Sequence, residues 1–339
     1  MEKVISQTKL KIPFMIKKPR KLIFVKKQRG FEIPNATDEM IDFIKQLFNG
    51  INSNDLALYL EKNNRVSALY GWLKKKDCIS TNVIDGIVNT ENEKNYEYIS
   101  SLDKNPHKLL KKIKESHVAI VGCGGTGSIV VQNLVAMGFR RLSVIDYDKI
   151  EYSNLNRQIV YSYSDVGKYK AEVLANKLKL LHREVKVTSH IKKIQNEKDL
   201  IEIYDNNLPA FMVCGIDTPP ILSRINVLKF CELHDIPSIF GGVGIETGNY
   251  GPLIDNEKDR KLYQSSLNNI KSQYKVDGIN LIKGSLCPTN SIISSFMALD
   301  IFKWFTNTNP LSYNKISNVD FSLGIMKHNN FNLLSSIDI

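Results

Sequence analysis

Four groups of residues between 117 and 170 have types and spacings that could do chemistry together. Gly122, Gly124, Gly125 and Gly127 fall in the loop Gly122-Cys123-Gly124-Gly125-Thr126-Gly127, directly after the apolar run His117-Val118-Ala119-Ile120-Val121. Glycines in that place let the backbone approach a phosphate at a helix N-terminus. Asp146 and Asp148 follow a second apolar run, 141–145, and an acid ending such a strand can reach a ribose hydroxyl. Then come Asn154-Leu155-Asn156-Arg157-Gln158 and Asp165-Val166-Gly167-Lys168-Tyr169-Lys170. The glycines alone also satisfy the fingerprint of an NAD or FAD enzyme. Arg157 and Lys170 turn the reading toward a triphosphate. A nicotinamide enzyme has no need of two cations there, whereas a triphosphate must be neutralised during attack on phosphorus.

In this order and near this spacing, the four segments resemble the ThiF/MoeB/E1 superfamily of ATP-dependent carboxylate-adenylating enzymes. That family carries a glycine loop, an Asp-x-Asp pair, an Asn-x-x-Arg-Gln run and a Val-Gly-x-x-Lys. The resemblance implies ATP and Mg2+ as cofactors. It implies that Asp146 holds the ribose, that Arg157 and Lys170 contact the phosphates as catalytic cations, and that Asn154 and Gln158 position them. Asp217, after the apolar segment 210–215, would help to hold magnesium. Asp148 stands either as a nucleotide contact or as a turn residue, and Gln158 either as a contact or as packing. In MoeB-like dimers an arginine ahead of the glycine loop reaches the partner subunit's ATP. Here no arginine lies between Arg65 and Arg140, leaving Lys94 or Lys104 as the substitute. The two Cys-x-x-Cys pairs that bind zinc in MoeB-like relatives are missing, so no structural zinc is expected. A homodimer is expected from the family.

Positioning these groups requires strands whose C-terminal ends converge. Apolar runs at 117–121, 141–145, 185–190, 210–215 and 235–242 alternate with helical patterns, including 125–137 and the stretch from Lys170 to about Leu181. Such alternation predicts an α/β fold, a Rossmann-like doubly wound and mostly parallel sheet. Residues 250–253 read as extended, 255–278 as a charged excursion over the surface, 291–305 as an apolar helix, and the tail from Asn314 as a strand pair. Cys214 reads as core and Cys123 as a small loop residue. Cys287 is either an acceptor for an activated acyl group or a small residue under its loop.

Residues 1–84 have a different character. Short strands at 10–16, 21–25 and 30–34 precede three helices, at about 40–48, from Ser53, and at about 66–76. This small winged-helix-like α+β pattern resembles the precursor-recognition domain of enzymes that modify ribosomally made peptides. Such domains take a leader peptide as an added strand. DNA binding and a purely structural role are the alternatives, and the third helix offers mainly Lys74, Lys75 and Lys76, a poor set for reading base edges. Residues 85–116 read as a linker with a Lys-rich docking helix near Leu109, and 117–339 as the adenylation domain.

The net charge of +11 and pI near 9.2 suit an acidic partner or a lysine-rich solvated surface. Five scattered cysteines suggest reduced thiols in a cytoplasmic protein. No apolar run reaches a membrane span's length, and the basic N-terminus lacks the apolar core of a signal peptide. The functional expectation is adenylation of a carboxylate on a ribosomal precursor peptide in peptide-antibiotic biosynthesis. The whole-chain arrangement resembles microcin C-type peptide adenylyltransferases and the pantocin-type glutamate-crosslinking enzyme. The alternatives are activation of a ubiquitin-like sulfur carrier, as in ThiF and MoeB, and an inactive scaffold that presents a leader peptide.

Overall fold

The computed structural model describes residues 7–17, 20–26, 29–83, 90–102, 105–216, 219–274 and 284–330. The chain divides into two units, 1–110 and 111–339.

The first unit contains β1 (Gln7–Leu10), β2 (Phe14–Lys17), β3 (Lys21–Lys26), β4 (Arg29–Ile33), α1 (Asp38–Asn49), β5 (Ile51–Asn52), α2 (Ser53–Lys62), α3 (Asn64–Lys75), β6 (Ile79–Val83) and α4 (Glu93–Leu102). The strand expected over 10–16 is two strands in different sheets. Pro13 cannot donate to a ladder, and its carbonyl accepts from the Val25 N–H instead. β1 therefore joins β5 and β6, while β2, β3 and β4 form an antiparallel sheet with β4 at one edge. Thr37 caps α1 and Gly50, at φ +104°, ends it. Asn52 caps α2, which begins at the expected Ser53, by accepting the Asp55 N–H at 2.9 Å. The core packs Leu22, Phe24, Phe43, Ile44, Leu69 and Leu73. Trp72 of α3 is half-buried, its ring 6.0 Å from Phe24 and 5.7 Å from Phe31. The helix α4 is not expected from the sequence; its buried stripe is only Tyr96, Ile99 and Ser100, too thin to show as periodicity.

α5 (Pro106–Glu115) leads into the second unit, which holds β7 (His117–Val121), α6 (Gly125–Ala136), β8 (Arg141–Ile145), α7 (Lys170–Leu181), β9 (Lys186–His190), α8 (Glu197–Tyr204), β10 (Phe211–Cys214), α9 (Pro220–Leu233), β11 (Ser238–Val243), β12 (Thr247–Ile254), α10 (Glu257–Tyr274), α11 (Cys287–Phe305), β13 (Ile316–Asp320) and β14 (Ile325–Asn329). One eight-stranded sheet runs β14-β13-β12-β11-β10-β7-β8-β9. β9, β8, β7, β10 and β11 are parallel, and β12 to β14 are antiparallel. Strand order reverses at β7, with β8 on one side and β10 on the other, the switch point where open α/β sheets bind ligands.

The two faces can be told apart by adjacent glycines of β11. A Cβ on Gly241 would lie 2.4 Å from Met297 Sδ of α11, and one on Gly242 would lie 3.2 Å from Arg224 Nη2 of α9. Thus α11 covers one face, together with α6, and α8, α9 and α10 cover the other over a core that includes Val121, Met212, Cys214 and Phe240.

The excursion expected at 255–278 is instead the helix α10 through Tyr274. Its buried positions, Arg260, Tyr263, Leu267 and Ile270, recur at helical spacing. Arg260 in place of an apolar residue and one inward residue per turn hid that pattern. α11 begins four residues before the expected Ser291, with Pro288 in its first turn, where its missing N–H costs nothing. No helix among the described residues is long and apolar enough to cross a membrane.

Candidate functional site

The site is built where β7 and β8 end. Gly122 adopts φ +99°, and a Cβ there would lie 2.8 Å from the backbone of Gly215 beyond β10. A Cβ on Gly127 would lie 1.9 Å from the Gly122 carbonyl. Only glycine permits these backbone approaches. Gly124 is the N-cap of α6 and no side chain caps it. The first-turn amides are therefore available to an anion, and the positive end of the helix favours one. Gly125 packs so closely on Asn290 of α11 that a Cβ would lie 2.4 Å from its Oδ1.

Asp146 ties this loop to the end of β8. Its Oδ2 accepts the Cys123 N–H at 2.7 Å and its Oδ1 the Asp148 N–H at 2.8 Å. Burial raises its pKa, and Lys170 and the two amides oppose that rise. Both carboxylate oxygens retain lone pairs for a sugar hydroxyl.

Asp148 and Lys170 meet through the backbone. The Lys170 N–H donates to the Asp148 carbonyl at 2.9 Å, and the Ile150 N–H to the Lys168 carbonyl at 2.9 Å. That pairing brings two motifs, distant in sequence, side by side. Lys170 Nζ then donates to Asp148 Oδ2 at 2.9 Å, with the lysine side chain 8% exposed and the aspartate 45%. The loop between them is braced by Asp165, which accepts from Lys177 and from the Ser162 hydroxyl and N–H. Burial alone would raise the Asp165 pKa, but these donors bring it down to about 2.

Asn154 is buried and used locally. Its Oδ1 accepts the Glu151 N–H at 3.1 Å, and its carbonyl accepts the N–H groups of Arg157 and Gln158. Arg157 Nη1 donates to the Ser153 carbonyl at 2.7 Å and to Asn156 Oδ1 at 3.0 Å. None of its hydrogen bonds reaches Lys170, Asp148 or the glycine loop. Gln158 is buried against Gly124, and its Oε1 has no hydrogen-bond partner. An orphaned acceptor beside an uncapped helix N-terminus is consistent with a ligand that donates a hydrogen bond there.

Sequence reasoning missed Tyr161, whose buried hydroxyl donates to the Cys123 carbonyl at 2.9 Å and lies 3.3 Å from that of Lys170. Its one signal was its position four residues after Arg157. Asn156 Nδ2 donates to the Ser285 carbonyl at 3.2 Å, joining the arginine loop to the segment ahead of α11. Cys287 is half-buried there, 3.7 Å from the Ser291 hydroxyl.

Asp217 and Lys104 lie outside the described residues. Lys94 pairs with Glu93 and Glu97 in the first unit. Among the described residues, no group of three or more His, Cys, Asp or Glu side chains could hold a metal ion. A cavity of about 380 Å³ lined by His117, Arg141, Asn207 and Leu208 lies at the opposite, N-terminal, ends of β7 and β8.

Residues 98–333 match the family model described as ThiF family. A probable molybdopterin-synthase adenylyltransferase of Gracilaria tenuistipitata var. liui is 32% identical over 202 residues, 57% of this chain and 52% of the relative. The chain spans about half the length, or less, of the curated relatives it matches. Among solved structures, E. coli MccB with ATP superimposes with a TM-score of 0.75 at 23% identity, covering 96% of this chain and 97% of MccB. MccB, there called a microcin C7 biosynthetic enzyme, is also solved with N-formylated MccA, at a TM-score of 0.74. PaaA gives a TM-score of 0.70 at 17% identity over 95% of this chain. At these identities the likeness is one of fold.

Proposed function

The chain belongs to the ThiF family, and from that premise we propose that it activates a peptide carboxylate as an acyl-adenylate with ATP. The observation that carries this reading is the convergence at the switch point. An uncapped helix N-terminus, a carboxylate locked to the loop and a buried lysine from three separate motifs meet there. A carboxylate oxygen attacks the α-phosphorus, and the bond to the bridging oxygen breaks with release of pyrophosphate. The attacking carboxylate is already ionised at neutral pH, so no general base is needed. The protein's work is positioning and charge neutralisation. In this reading the amides of α6 hold phosphate oxygens, Lys170 adds a fixed positive charge, and Asp146 holds the ribose. Arg157 would leave its local partners to meet the nucleotide. Magnesium, when bound, supplies further charge on the phosphates, with Asp217 as its proposed ligand.

The substrate is proposed to be a ribosomally made peptide, held by residues 1–84. Two observations support this. The fold likeness to MccB covers the N-terminal unit as well as the sheet, and MccB's solved partner is N-formylated, the mark of a ribosomal start. Within that unit, β4 presents a sheet edge beside Phe31, Trp72 and Lys76, whose Nζ lies 5.6 Å over the Phe31 ring. A leader peptide would add to that edge.

The second reading is activation of a sulfur-carrier protein. It is favoured by the molybdopterin-synthase adenylyltransferase relative. An ATP–pyrophosphate exchange assay with candidate peptides and a sulfur carrier separates the two. Peptide-dependent exchange is expected, and carrier-dependent exchange alone would select the second reading. Calorimetry should show binding of ATP with magnesium and not of NAD. Tight NAD binding without ATP binding would overturn both.

A further inference from the structure

A second buried cation stands at the same end of the sheet and has no use in the reading above. Arg224, in the second turn of α9, is 8% exposed. Its Nη1 donates to the Tyr263 hydroxyl at 3.1 Å and its Nη2 to Asn249 Oδ1 at 3.3 Å. Both acceptors are neutral, and no carboxylate among the described residues forms an ion pair with it. The other deeply buried arginine of this face, Arg260, has Asp235 at 2.6 Å. A guanidinium stays protonated at any physiological pH, and burying such a charge without a counter-charge is costly.

Its surroundings show from which side an anion could reach it. Gly242 and Asn249, paired across β11 and β12, are both half-buried, and a Cβ on Gly242 would press on Nη2. The guanidinium therefore lies just under the rim of the sheet. Gly242 is the next-to-last residue of β11, which runs parallel to β10, and the residue after β10, Gly215, packs on Gly122 of the phosphate loop. Arg224 is thus at the ligand-binding end but on the α9–α10 face. The helix whose N-terminus would hold phosphates, α6, covers the opposite face.

We propose that Arg224, with Asn249 beside it, binds a second carboxylate of the substrate, close in sequence to the one that is activated. The proposal rests on the adenylation reading and narrows its substrate class to acidic ends or acidic neighbours. A peptide approaching the α-phosphorus from the α9 face crosses Gly242. An acidic side chain there would meet the planar donor fork that suits a carboxylate. Arg224 is then a specificity residue.

The test uses the full chain, ATP–pyrophosphate exchange and two N-acetylated probes, tetraglycyl-glutamate and tetraglycyl-glutamine. They differ in one carboxylate. Wild type should favour the glutamate probe in kcat/KM by about tenfold or more, the scale of one charge-assisted hydrogen bond. Arg224→Met should erase that preference while leaving the KM for ATP unchanged, and Arg224→Lys should keep part of it. Asn249→Asp supplies a counter-charge from within the protein. It should raise the thermal midpoint and also erase the preference, which keeps the test decisive if Arg224→Met fails to fold. A wild type that prefers neither probe, an Arg224→Met variant that slows both equally, or a change confined to the KM for ATP would each overturn the proposal. Calorimetry with ATP on the same samples separates these outcomes from failure of the adenylation reading. A wild type that binds no ATP removes that reading, and this proposal with it.

Discussion

Lys170 gathers the electrostatics of the site in one side chain. It is buried, carries a positive charge, and is held 2.9 Å from Asp148. Replacing it with methionine, or Arg157 with alanine, should each reduce pyrophosphate exchange by roughly 10²–10³-fold, the scale of one lost preorganised contact. Near-normal turnover in both variants would mean that the phosphates bind elsewhere. The brace below the site makes a prediction in pH. The folded pKa of Asp165 is about 2, below the unfolded value near 3.9. Its stabilising contribution is therefore complete above that unfolded value and is lost as the pH falls toward 2. The thermal midpoint of Asp165→Asn should lie well below wild type at pH 7, and the gap should close as both are taken below pH 4. A gap independent of pH would contradict the role given to the Lys177 pair. At this scale Gly122 and Gly127 are legible in the sequence because each satisfies a local backbone requirement, whereas Asp146 and Lys170 are legible only as motif positions whose partners, Cys123 and Asp148, lie 23 and 22 residues away. Asn154 is legible as a position but not as a turn residue bonded to Glu151, since a motif does not say which partners a side chain will find.

Among the elements, the strands and helices that cradle the glycine loop are readable because each has a single strong pattern. β7 is buried throughout, with four apolar residues after His117, and α6 opens on glycines. Elements that bury one residue per turn are not. α4 and α10 present mostly Lys, Glu, Asn and Ser, and the inward stripe of α10 becomes visible only once that helix lies against α9. Residues 10–16 form two strands rather than one for a different reason, because Pro13 divides what hydrophobicity alone joins. The edge of β4 carries its own prediction. Neighbouring residues in a strand point their N–H groups to opposite sides. Of Phe31→Pro and Glu32→Pro, one removes a donor from the open edge and the other a donor to β3. The edge variant should weaken binding of a leader peptide, measured by fluorescence anisotropy on the full chain, while keeping the melting profile of the unit. Unchanged peptide affinity in both would argue against strand addition at β4.

At the scale of the whole molecule, the eight-stranded sheet joins a parallel half, where the glycine loop, Asp146 and Lys170 converge, to the antiparallel strands β12 to β14. The change of direction at β12 has one sequence signal, the short glycine-containing connection 244–246, which is too brief for the crossover a parallel neighbour needs. Tyr250-Gly251-Pro252-Leu253 reads only as extended, and strand direction is a property of pairing rather than of any one segment. The distribution of sulfur across the molecule has a practical consequence. All five cysteines are free; Cys78, Cys123, Cys214 and Cys231 are buried, and Cys287 is half-buried. Burial raises the pKa of Cys123 strongly and pushes that of Cys231 up to about 12, which holds both as unreactive thiols. The native chain should therefore take up one equivalent of a maleimide dye quickly and the other four only after denaturation, as a timed thiol titration would reveal. More than one fast equivalent would contradict the burial of the others. Cys287 begins α11 two residues after Ser285, whose carbonyl accepts from Asn156. A fluorophore placed there without any mutation would sit next to the arginine loop and would register its movement when a nucleotide arrives.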